Sequence, residues 1–176
     1  MRPHDIVILL KILSLEENWL NKDLSTALFI SNSEISESLN RSMIAKLISP
    51  NKRTVFKNAL FDFIVHGLKY VFPVEVGAMG RGVPTAHSAP VLKDFFVSDD
   101  AYIWPSPSGK TRGYVIQPLY PNQPSAALID QSLYDKLALV DAIRVGRTRE
   151  RNKAIELLHD ILKSEHAREY HQDQSR

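Results

Sequence analysis

Cysteine is missing from all 176 residues. Disulfides, thiolate metal sites and a cysteine nucleophile are therefore excluded, and the composition suits a reducing cytoplasm. Long apolar runs are missing too. The opening MRPHDIVILLKILSL has the outline of a secretory leader, but Lys11 breaks it, no small-residue cleavage site follows, and the pattern continues into Glu16 and Glu17. Nothing approaches the ~20 apolar residues of a membrane span. The expectation is a cytoplasmic protein with no membrane partner. A decisive excess of charge is also lacking, with 22 Lys and Arg against 20 Asp and Glu for a net +2. Charge alone therefore does not demand a nucleic-acid partner, and local placement has to decide. HExxH, HxxxH and GxSxG are absent and the six histidines are scattered, so no metal site, catalytic group or cofactor is expected.

With 44% hydrophobic and 24% charged residues, the chain belongs to the globular class. Its ten prolines are unevenly placed, with eight between Pro73 and Pro124. Proline removes an amide donor and clashes with the preceding turn, so that stretch cannot be long helix. The expected fold class is α+β. A helical domain over 1–72 precedes an irregular and stranded segment with a helical pair over 73–176, expected to serve dimerisation, ligand sensing or docking.

The first helix should begin at Pro3, because Ile6, Leu9, Leu10 and Leu13 share one face. A second should follow Asn21–Lys22–Asp23, and a third should follow Ser31–Asn32–Ser33, with Ser33 or Asn32 as its cap. RTVFKNALFDFIVHGL predicts a fourth helix ending at Gly67. In the middle, AYIWP and RGYVIQPL flank PSPSGKT, which predicts a β-hairpin. Two last helices are predicted at roughly 130–144 and 147–165, hinged at Gly146. The tail after His166 has no apolar stripe and is expected to fray.

Residues 24–47, LSTALFISNSEISESLNRSMIAKL, have the layout of a helix pair that reads DNA. Such a pair needs an apolar inner face and a small, polar outer face. Leu24, Leu28, Ile35, Leu39 and Met43 supply the inner face, and Ile30 plugs the turn. Ser31, Asn32, Ser33, Ser36, Asn40 and Arg41 supply the outer face, with Glu37 among them. Asparagine and arginine bond bidentately to adenine and guanine edges, and serine bonds to either kind of base. Lys22, Lys46, Lys52 and Arg53 lie at the ends, within reach of phosphates.

These residues resemble the winged helix-turn-helix of bacterial MarR-like transcriptional regulators. The matching positions are Leu24–Ser25, Leu28–Phe29–Ile30–Ser31, Ile35–Ser36 and Leu39, over roughly residues 5–50, with Trp19 preceding the supporting helix. In two places the chain departs from that pattern. Ser25 stands where alanine is usual, and Phe29 stands where the turn usually has glycine. The stretch SPNKRT, where a wing belongs, is long enough only for a tight turn. The resemblance implies a sequence-specific, double-stranded-DNA-binding regulator with a recognition helix at about residues 33–47. It also implies a homodimer, since many such proteins meet two half-sites with two recognition helices.

Two other segments carry candidate chemistry. VGAMGRGVPTAHSAP (76–90) is glycine-rich but lacks the GKS/T ending of a phosphate loop. Its His87 has no partner fixed by spacing, and backbone bonding is its expected role. RVGRTRER (144–151) is the densest basic cluster, with Arg147, Arg149 and Arg151 in the first turns of a helix. Asp135, Asp141 and Glu150 are its available internal partners. The alternative function is therefore a protein-interaction module, for example an antitoxin that grips an acidic partner through this cluster.

Overall fold

The computed structural model describes residues 1–16 and 18–173, with side chains described as far as Ser164. It is an α+β structure in which N-terminal helices precede a small mixed sheet and C-terminal helices. The first three helices are α1 (Pro3–Ile12), α2 (Asn21–Leu28) and α3 (Asn32–Ile44). α2 begins at Asn21, earlier than expected, because the Asp23 carboxylate accepts the Leu20 amide at 2.8 Å. Ser31, not Ser33 or Asn32, caps α3: its Oγ accepts the Glu34 amide at 3.3 Å.

The turn between α2 and α3 contains Phe29 at φ 54° and ψ 40°, the left-handed conformation expected of glycine. Its ring is 51% exposed, so little packing offsets the steric cost. The Ser25 hydroxyl donates to the Ile30 carbonyl at 2.6 Å and braces the same corner. After α3 the chain forms a short ribbon: Ile48 bridges Val55, the Ser49 amide donates to Thr54, and the Phe56 amide donates to Leu47.

The predicted fourth helix is broken. α4 (Lys57–Asp62) passes through a π turn (Phe63–Gly67) into α5 (Leu68–Val71). Arg151 bonds the Val65 carbonyl within that turn at 2.8 Å, so one of the cationic side chains expected to meet a partner is instead a brace.

The strands are β1 (Val76–Pro84), β2 (Tyr102–Pro105) and β3 (Thr111–Ile116). The expected hairpin between the last two does not form. β2 and β3 each pair antiparallel with β1, over Gly82–Pro84 and over Val76–Gly82 respectively, and so run parallel to each other with Tyr102 beside Tyr114. All three strands are mutual neighbours, and the sheet closes on itself. Such closure needs bare backbone at the seam. A Cβ at Gly82 would stand 1.8 Å from the Trp104 carbonyl oxygen, and one at Gly109 2.0 Å from the Gly82 carbonyl carbon.

The C-terminal part holds α6 (Gln123–Ile129), α7 (Gln131–Val145) and α8 (Thr148–Asp173). The last two start within a residue or so of expectation. α6, with Pro124 in its first turn, is a helix that the periodicity does not announce. The α8 backbone stays helical to Asp173, past the point where fraying was expected, and its side chains beyond Ser164 lie outside the described residues. α7 is buried on every side from Lys136 through Ile143. It packs on α8, α6, α1 and α5, and one apolar core runs continuously across the expected boundary at 72/73. Among the described residues, no helix is long and apolar enough to cross a membrane.

Asp141, fully buried on α7, ties the sheet to this helix. Its carboxylate accepts Trp104 Nε1 at 2.5 Å and Thr85 Oγ1 at 2.9 Å, and pairs with Arg144 at 2.8 Å. Burial pushes the carboxyl up, against the pull of Arg144 and these donors. Arg144 also reaches the Phe72 carbonyl, joining the end of the α5 segment to the same point. Asp141→Ala strands three buried donors and is expected to cost on the order of 3 kcal/mol or more in urea unfolding. Asp141→Asn keeps an acceptor for Trp104 and is expected to lose less.

Candidate nucleic-acid interface

Ile35 and Leu39 bury the inner face of α3 against Leu24 and Leu28 of α2. The opposite face presents Asn32, Ser33 and Glu37 exposed, with Ser36 and Asn40 half-buried one turn apart. Ser31 is exposed at the cap and shares a hydroxyl contact with Ser33 at 3.1 Å. Ser36 accepts from the Asn21 amide nitrogen at 3.1 Å. The Lys52 ammonium donates to Asn40 Oδ1 at 2.6 Å.

Arg41 is not on that face. It lies seven residues after Glu34 and turns toward α1, where it grips Asp5 with two bonds of 2.9 and 2.7 Å and Glu34 with one of 2.5 Å. Asp5 is fully buried, and a carboxylate without water must find a cation. The same network draws in Glu34, which also meets Arg2 at 3.1 Å and His4 at 2.8 Å. Of the two acidic residues on α3, only Glu37 remains on the outer surface. His4, Asp5 and Glu34 also bring ligand-type atoms within 4.8 Å of one another. The Arg41 guanidinium bonds both carboxylates, so the protein's own cation serves there.

Beside α3, the ribbon carries Lys52 and Arg53. Arg53 lies 4.6 Å over the Trp19 ring and donates to the Trp19 carbonyl at 2.5 Å. Its own amide is held by Asn51 Oδ1 at 3.1 Å and by Ser49 Oγ at 3.3 Å. Lys52 has φ 59° and Lys46 φ 57°, both left-handed. A shallow open pocket of about 140 Å³ lies between Asn21, Ser36, Asn51, Lys52 and Arg53, and no carboxylate lines it.

The second basic cluster is divided by the fold. Arg147 and Arg149 are exposed, while Arg151 is committed to Val65. Glu150 accepts the Arg147 amide at 2.9 Å at the start of α8. Of the other expected partners, Asp141 takes Arg144 and Asp135 takes the Gln131 side chain at 2.7 Å. His87 is buried with Nε2 against the Asp100 carbonyl at 2.8 Å, a backbone bond like the one expected for it.

No protein-family model, curated protein or solved structure matches the chain.

Burial would push Asp5 up, yet bonds from the Arg41 guanidinium and the Arg2 amide hold its carboxyl below the usual range. Arg41 and His4 likewise hold Glu34 low. A depressed carboxylate contributes stability that is complete above its unfolded value and is lost as pH falls through the folded one. The urea midpoint is therefore expected to fall below about pH 4. Arg41→Met should lower the midpoint at neutral pH and remove most of that acid-side decline. Phe29→Gly, which removes a side chain from a left-handed position, is expected to raise stability by about 0.5–1 kcal/mol in the same measurement.

Proposed function

We propose that the protein is a sequence-specific DNA-binding transcriptional regulator, with residues of about 33–47 as the recognition helix in the major groove. One observation carries the reading: α2 and α3 meet at a tight left-handed corner with their apolar faces locked together, and the free face of α3 is small and polar. Ser33, Ser36, Glu37 and Asn40 are the base-facing candidates. Lys46 and Arg53 flank them toward the phosphates, with Lys22 exposed at the start of α2. In this reading the 47–56 ribbon acts as a minimal wing, and Arg41 holds α3 to α1 instead of reading bases. Two copies would bind half-sites one helical turn apart.

The second reading is a protein-docking module such as an antitoxin. Arg147 and Arg149 favour it, being exposed cations on either side of the start of α8.

Duplex retardation across a salt series separates the two. The regulator is expected to bind at low salt and to weaken steeply as salt rises, because phosphate contacts release counterions. Replacing both Lys46 and Arg53 by Ala should reduce the slope of log affinity against log salt by about 2 per protomer. Absence of duplex binding at low salt, with an acidic protein retained through Arg147 and Arg149, would replace this reading with the second.

A further inference from the structure

The contact between Asn40 and Lys52 restricts what α3 can read, an inference that rests on the DNA-binding reading above. An ammonium group can only donate, so the Asn40 amide must face Lys52 with Oδ1, as the 2.6 Å contact has it. Asn40 Nδ2 is then directed away from Lys52. The pair then offers donors from both members, Nδ2–H of Asn40 and the Lys52 ammonium, together with one positive charge.

Base edges respond differently to that pattern. Adenine offers N7 as acceptor and the N6 amine as donor, which an unpartnered asparagine matches with Nδ2 and Oδ1. Here Lys52 occupies Oδ1, and its charge repels the N6 amine. Guanine offers O6 and N7, two acceptors, and meets both donors.

The backbone supports a dedicated placement. Lys52 sits at φ 59°, a conformation that costs a lysine free energy, and its side chain reaches Asn40 from there. Neighbouring groups keep the turn in place: Ser49 Oγ accepts the amides of Arg53 and Thr54, and Arg53 is pinned on Trp19. Strain at an otherwise well-bonded turn is consistent with a side chain held for use. We propose that Asn40 and Lys52 act together as a guanine reader, with Lys52 converting an adenine-type asparagine into a guanine-type pair.

Selection of bound duplexes from a randomised pool at low salt tests this, using the full chain and two variants. Lys52→Gly relieves the left-handed residue and so keeps the fold. The wild type is expected to enrich guanine at one position of each half-site. Lys52→Gly should lose that preference in favour of adenine by roughly tenfold in competition binding. Lys46→Ala, at an exposed cation with no bond to the Lys52 turn, should weaken all sequences evenly and leave the preference intact. A guanine preference unmoved by Lys52→Gly, or an adenine preference in the wild type, overturns the reader while sparing the regulator. A wild type that retains no duplex overturns both.

Discussion

The structure depends on a burial constraint imposed by α7. A helix surrounded on all sides must be apolar all round or must give each polar side chain a partner. α7 does the second at Asp141, whose carboxylate collects an indole, a hydroxyl and a guanidinium. These three come from β2, the segment just after β1, and α7 itself. The sheet is thereby held at one height along the helix, while Arg144 continues the connection to the Phe72 carbonyl. Nearer the start of α7, buried Lys136 is bonded to Ser14 after α1. The same helix thus locates both the sheet and the N-terminal helices.

A similar solution orients the candidate interface. Asp5 opens a run of buried aliphatic residues, and Arg41 supplies the cation it needs from α3. The pair sets the rotation of α3 about its own axis. Ile35 and Leu39 then face α2, and Ser33, Ser36, Glu37 and Asn40 face outward. Turning Arg41 inward costs the outer face a potential base-reading group and gives the remaining groups a fixed orientation. Asn122 at the start of α6 donates to the Phe29 carbonyl at 3.1 Å, which ties the C-terminal helices to the corner itself.

Much of the helical framework was legible in the sequence, because helical periodicity is local. Pro3 marks the start of α1, Gly146 the break between α7 and α8, and the apolar spacing of Leu24, Leu28, Ile35 and Leu39 the α2–α3 contact. The parallel pairing of β2 and β3 was not legible. It follows from both strands choosing β1, and that choice rests on close backbone approach at Gly82 and Gly109, far apart in the chain. The β1 segment resembles a loop in sequence because glycine and proline usually mark turns. Arg41 misleads for a related reason. Helical spacing puts it beside Asn40, and only the buried Asp5 on another helix turns it inward; an acid at the head of DIVILL was the available signal. Lys52 lies on a turn twelve residues from Asn40, so no periodicity could join them.

The closed sheet also bears on how copies of the chain could associate. An open sheet offers a free strand edge, and a neighbour can lengthen it through main-chain hydrogen bonds with little regard for side chains. Here each strand already has the other two as neighbours. Where the three strands pair with one another, strand addition has no free edge to extend, and a contact between copies there has to be made by side chains. A contact made that way depends on which side chains meet, a requirement that strand addition does not impose.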